Sequence, residues 1–258
     1  MKKLLTIIIP ILIIGGGALI FKDTLTEYFE GQPRSLTDAD QQALELKSQG
    51  VELKSRGETY LAAGKYLKAA EKLKSTLRTN KNNPDYSRYK DKMLNYYHQS
   101  INLYIQDALK LPVDRKGRAS NIYDGDTIEM KSGEKIRYLG INSPEVAHKR
   151  GERDQPYGQE ATRANSRMVG NRTVQLKLDG ETRGRYGRTL AYVFSGNRFV
   201  NAELLKLGMA KYYSPGGDIR YTRLFKACQY LAQEKKLGIW KKKPTRRRFK
   251  KRTNPASK

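Results

Sequence analysis

Apolar and polar positions alternate along residues 121–145. Ile122 and Tyr123 are followed by Thr127, Ile128 and Met130, then by Ile136, Tyr138 and Leu139, with breaks at Asp124-Gly125 and Ser132-Gly133. Alternation at period two between glycine-containing turns predicts three successive antiparallel strands. The same period predicts a fourth strand over 173–178 and a fifth over 189–194. The helical spacing of Ala161, Ala164, Met168 and Val169 places a helix over 159–169 between the third and the fourth. Two further amphipathic helices are expected over 201–207 and 221–236, after which Gly238 stops the last helix and Trp240 packs as a plug.

Residues 35–109 carry no such alternation. Leu44, Leu46, Val51 and Leu53, then Tyr60, Leu61, Leu67, Ala69, Ala70, Leu73 and Leu77, recur at helical spacing. Gly57, Tyr60, Ala69 and Leu73 fall where a tetratricopeptide repeat has its small and aromatic positions. A single repeat cannot bury its own face, so two or three packed helices are expected, the last over 85–109. Met93, Tyr96, Tyr97, Ile101 and Tyr104 read as core and interface, and His98 as a surface or packing histidine. This region reads as a spacer or as a docking surface for a protein partner.

Residues 4–21 form an uncharged, mostly apolar run preceded by Lys2-Lys3. That is longer than a signal-peptide core and just short of a comfortable span. With no small-x-small cleavage site after it, the run reads as a signal anchor, with the N-terminus inside and the rest outside. Secretion after signal cleavage is the alternative. The expected fold class is thus α+β: a five-stranded OB-like β-barrel with helices over 116–240, preceded by a transmembrane segment and flank (1–30) and a small all-α region (35–110). Residues 241–258 hold ten Lys or Arg and no acid, which predicts a disordered basic tail able to hold polyanions.

Charge narrows the partners. A formal net charge of +25 favours polyanions, and nucleic acid and anionic lipid both qualify. The single cysteine, Cys228, excludes an intrachain disulfide framework and a Cys-rich zinc site, and its helical neighbours Phe225 and Leu231 make it a buried thiol.

The polar groups at the strand junctions carry the chemistry. Asp124 and Asp126 flank Gly125, while Asn142, the Ser143 carbonyl and Glu145 lie just past the third strand. Hard oxygens brought together there suit calcium. Arg137, within the third strand, presents a planar positive fork suited to phosphate. DGDT at 124–127, the arginine within IRYLGINSPE at 136–145, and YGRTLAY at 186–192 resemble, in this order, the staphylococcal nuclease family, over roughly residues 116–240.

The resemblance implies that Arg137 and Arg188 hold the phosphate, that Asp126 is a metal carboxylate, and that Glu145 is the acidic catalytic residue. It also implies that Tyr186 and Tyr213 pack around the nucleotide. Where the best-known members have a second metal aspartate this chain has Asn142, so the site loses a negative charge. The expected activity is calcium-dependent hydrolysis of DNA and RNA with little base preference, because the contacts are to phosphate. A catalytically weak nucleic-acid-binding module is one alternative. A helical interaction scaffold carrying the nuclease-like domain is another.

Overall fold

The structure is a computed structural model and describes residues 35–147, 151–180, 183–184 and 186–241. The apolar run at 4–21 and the basic segment 242–258 lie outside the described residues. Among the described residues no helix is long and apolar enough to cross a membrane.

Three helices open the described chain: α1 (Leu36–Ser55), α2 (Thr59–Thr79) and α3 (Tyr86–Lys110). Ser35 starts α1 by accepting the Asp38 N–H on its hydroxyl at 3.1 Å, which satisfies one of the donors a helix start leaves open. Helix α2 lies between the other two and presents Ala62, Ala63, Ala69 and Ala70 as buried positions, small enough for close approach on both sides. The expected buried face of α1 is corrected. Leu44 is 43% and Val51 50% exposed, Leu61 of α2 is 55% exposed, and α1 buries Leu36, Ala39, Ala43 and Gly50 instead. The Tyr66 ring lies against Gly50, where an added Cβ would meet it at 3.0 Å, so the face with Gly50 turns inward, Leu44 and Val51 turn out, and Leu46 and Leu53 stay partly buried against the core. Met93, Tyr96, Tyr97, Ile101 and Tyr104 of α3 are buried, as their spacing implied.

The sheet follows: β1 (Arg115–Ile122), β2 (Thr127–Met130), β3 (Lys135–Tyr138) and the short β4 (Ile141–Asn142), then α4 (Gly158–Val169), β5 (Thr173–Lys177), β6 (Thr189–Ser195) and β7 (Arg198–Phe199). The first strand begins seven residues before the expected Ile122. RKGRASNI is polar on both faces and mostly exposed, so period two was not visible there. Its first half pairs with β5 and its second half with β2, switching at an irregularity between Ala119 and Asn121. Strand β3 pairs antiparallel with β2 and parallel with β6, and β6 pairs with β5, so the five strands close into a ring.

Helix α5 (Val200–Lys206), β8 (Lys211–Tyr212), α6 (Thr222–Glu234) and a 3-10 turn at Gly238–Trp240 complete the described elements. Cys228 on α6 is fully buried, and burial pushes its thiol pKa up.

One buried cluster runs through both parts, from Leu36 and Ala39 through Tyr97 and Tyr104 to Tyr192, Phe199, Phe225 and Leu231. Polar contacts cross the same boundary. Lys177 on β5, 2% exposed, donates to the carbonyls of Ala108 at 2.8 Å and Leu109 at 3.0 Å, at the C-terminal end of α3 where helix carbonyls lack partners. The Tyr221 hydroxyl donates to Asp107, and the Tyr60 hydroxyl to the Arg220 carbonyl. The helices are thus docked on the sheet through shared core and specific bonds.

Candidate active site

The site grows from the Asp124-Gly125-Asp126 turn between β1 and β2. Asp124 Oδ1 accepts the Asp126 N–H at 2.8 Å, and Asn165 of α4 donates to the Asp124 carbonyl at 3.0 Å. A Cβ at Gly125 would meet both Ala161 and Ser143 at 2.7 Å, so only glycine lets α4 and the segment after β4 close over the turn. The result is an aspartate with 1% exposure: Asp126.

Each oxygen of Asp126 is held. Oδ1 lies 3.1 Å from Arg137 Nη1 and accepts from the Thr127 hydroxyl at 3.1 Å, while Oδ2 accepts the Ser143 N–H at 2.5 Å. Burial pushes the Asp126 carboxyl well above the usual carboxylate range, the neighbouring Arg137 guanidinium pulls it down, and Asp124 pushes it up again. One guanidinium does not offset the desolvation of this carboxylate.

Arg137 pairs across the β2–β3 ladder from Thr127, which sets its side chain beside Asp126. Its Nη1 donates to the carbonyls of Tyr138 at 3.0 Å and Ile141 at 2.7 Å, and its Nη2 to Asn142 Oδ1 at 2.7 Å. Arg188 arrives from the turn before β6. Gly187 takes φ +72° there and donates to the Gly184 carbonyl, while Gly184 donates back to that of Arg188. Arg188 Nη1 then lies 3.5 Å from the Thr127 hydroxyl, a long contact, and its guanidinium is 5.5 Å from the Tyr186 ring. Arg137, Asp126, Thr127 and Arg188 thereby form one continuous polar chain, joined by Asn142 and Ser143.

Glu145 stands two residues past Ser143 and is exposed. Its backbone is pinned: Gln155 donates its N–H to the Glu145 carbonyl at 2.9 Å, and Glu145 N lies 3.3 Å from Gln155 Oε1. Tyr186 is 83% and Tyr213 53% exposed. Tyr213 follows β8, which pairs with the β4 strand that carries Asn142, and its N–H donates to Gly140 at 3.1 Å. No bond joins its ring to the cluster.

Among the described residues no group of three or more His, Cys, Asp or Glu side chains could hold a metal. The oxygen set still fits one hard divalent cation. It offers the carboxylate of Asp126, whose pKa burial raises, and the buried Ser143 hydroxyl oxygen, which has no hydrogen-bond partner among the described residues. The Asn142 oxygen is shared with Arg137, which makes it the weakest contributor.

Sequence reasoning missed three positioning residues. Thr127 links Asp126 to Arg188. Gln155 fixes the backbone of Glu145. Asn165 receives the buried Tyr138 hydroxyl at 2.8 Å while holding the Asp124 carbonyl, so it ties α4 to the turn. The available signal for Asn165 was an amide on the apolar stripe of Ala161, Ala164 and Met168.

The family described as staphylococcal nuclease homologue matches residues 135–242. The thermonuclease of Staphylococcus intermedius is 39% identical over 126 residues, covering 47% of this chain and 73% of that protein. The endonuclease YncB of Bacillus subtilis (strain 168) is 38% identical over 126 residues, covering 46% of this chain and 58% of its own. The SPbeta prophage-derived endonuclease YokF of the same strain is 38% identical over 126 residues, covering 46% and 42%. The chain belongs to the staphylococcal nuclease family.

Proposed function

We propose that the protein is a calcium-dependent nuclease that hydrolyses the phosphodiester bonds of DNA and RNA with little sequence preference. The observation that carries this reading is the chain Arg137–Asp126–Thr127–Arg188: a buried carboxylate whose Oδ1 meets one guanidinium directly and is linked to the other through the Thr127 hydroxyl. Support also comes from relatives named thermonuclease and endonuclease.

Attack on a phosphodiester places extra negative charge on the phosphoryl oxygens. Arg137, with its remaining N–H groups, and Arg188 stabilise that charge more than they stabilise the bound substrate, which is what lowers the barrier. Glu145 orients the attacking water and takes its proton. Asp126 and Ser143, with the Asn142 oxygen, would hold the calcium ion. Bound there, calcium would supply further positive charge beside the reacting phosphate. Tyr186 and Tyr213 offer exposed rings for the nucleotide to pack on.

The same reading takes the closed five-stranded sheet as an OB-like barrel within a nuclease unit over 116–240, with a helical unit over 35–110 before it. It takes the apolar run at 4–21 as a membrane anchor, with the nuclease unit outside the cell, where millimolar calcium would offset the charge lost at Asn142. The test is a cleavage assay on single-stranded DNA and on RNA with the full chain, across calcium, magnesium and manganese, comparing wild type with Glu145→Gln. Cleavage with calcium, its arrest by EDTA, and a loss of about 10²- to 10⁴-fold in Glu145→Gln are expected. Binding without cleavage under every ion would overturn the proposal in favour of a binding module.

A further inference from the structure

A second basic site opens on the same sheet, at the far end of β2 from Asp126. A cavity of about 360 Å³ there has Arg115, Lys116 and Arg118 of β1 and Lys131 on its rim. Its floor is apolar. Met130, 4% exposed, reaches across to Gly117, and Leu176 lines the cavity beside them.

The rim is not electrically balanced. Its one acid, Glu134, is already engaged by Arg115 and by the Thr189 hydroxyl at 2.6 Å. Among the described residues no carboxylate lies within ion-pair distance of Lys116, Arg118 or Lys131, so three cations around this cavity have no acidic partner. Like charges gathered this way repel one another, and an anion entering between them relieves that repulsion.

The mouth also lies close to the candidate active site along the sheet. Thr127, in the polar chain that joins the two arginines, and Met130, on the cavity floor, are the two ends of β2. That puts about 10 Å between them at the usual strand rise. Thr189, whose hydroxyl is bonded to Glu134, directly follows Arg188. Single-stranded nucleic acid on an OB-type sheet occupies on the order of 4 to 16 nucleotides, which spans this separation.

We propose that this mouth is a second phosphate-binding site, holding the polynucleotide backbone a few nucleotides away from the bond cleaved at Arg137 and Arg188. The inference rests on the nuclease reading for its substrate. A polynucleotide is favoured over a lipid surface because the cavity lies one short strand from the candidate active site, along β2, whose Thr127 end joins that site and whose Met130 end lines the cavity.

The test is binding, measured in EDTA so that no cleavage is needed. The full chain and the variant Lys116→Ala/Arg118→Ala/Lys131→Ala are titrated with a fluorescent 20-nucleotide oligothymidylate at several salt concentrations. The expected result is a dissociation constant about tenfold higher in the variant, and a slope of log affinity against log salt smaller by about 2, because three phosphates are no longer neutralised. Equal affinity and slope in the two proteins would overturn the proposal. The melting temperature of the variant checks its fold, and the single Lys131→Ala change, on an exposed turn, should lower the slope by about 0.7. If the variant instead loses binding to phosphatidylglycerol vesicles and keeps its oligonucleotide affinity, the surface faces lipid and the proposal fails. If wild type binds the oligonucleotide and the variant does not, yet neither cleaves it with any divalent ion, this site stands and the nuclease reading falls.

Discussion

The helical layer and the sheet bury polar groups of different kinds. In the helices the buried polar residues are Thr59, Thr76 and Ser100, neutral hydroxyls that donate to nearby backbone carbonyls of Gly57, Lys72 and Ala63. The sheet and its helices bury Asp124, Asp126 and Lys177 as well as the amides of Asn165 and Asn201. Hydroxyls bonded locally cost little to bury, whereas a carboxylate out of water costs far more unless it is paired. The helices are therefore composed for packing. The sheet carries charge that packing alone would disfavour, and it carries it beside Arg137 and, through Thr127, Arg188. Lys177 is the exception, since its charge serves the seam between the two parts.

Mutations should separate the two kinds of burial. The largest effect is expected at Arg137. A lysine there has one ammonium for the four oxygens that the guanidinium now meets. Arg137→Lys should lower the cleavage rate by about 10²- to 10³-fold and also lower the melting temperature. A variant with the rate and the melting point of wild type would remove Arg137 from the site.

Next comes the seam. Lys177→Met keeps the apolar stem and loses two charge-assisted bonds to the α3 terminus, which should cost about 2 kcal/mol. That corresponds to a fall of about 4–8 °C in melting temperature. A thermal melt that does not move would mean that the helices are held on the sheet by core packing alone.

The smallest effect is expected from Asn142→Asp. It restores a second carboxylate beside Asp126, and calcium affinity read by isothermal titration should rise about tenfold as ligand charge increases. Unchanged affinity would place the ion away from residue 142.

Much of the sheet was legible in advance because its core strands alternate cleanly. Ile128 and Met130, then Ile136 and Tyr138, are buried in β2 and β3, as the spacing required, and Thr127 is buried beside them. Strand β1 escaped because seven of its eight residues are not fully buried, and its partners on both sides, not its own pattern, make it a strand. The buried face of α1 was misread for a related reason. Leucines marked the helix period correctly, but the Gly50–Tyr66 contact decided which side turned inward, and that contact is invisible without the neighbour. At the candidate site the charged residues could be read from the motifs. Thr127, Gln155 and Asn165 could not, because their roles are hydrogen bonds set by tertiary placement, and Asn165 acts across 41 residues of sequence.

The central claim is that Arg188, joined through Thr127 to Asp126, completes an electrostatic site for a scissile phosphate. It is tested most directly by the single-turnover cleavage rate of Arg188→Ala on single-stranded DNA with saturating calcium. Arg188 is half-exposed, and its side-chain hydrogen bond among the described residues is the long contact to Thr127, so the variant should melt with wild type while cutting about 10²- to 10³-fold more slowly. An equally well folded variant that cleaves at the wild-type rate would contradict the account.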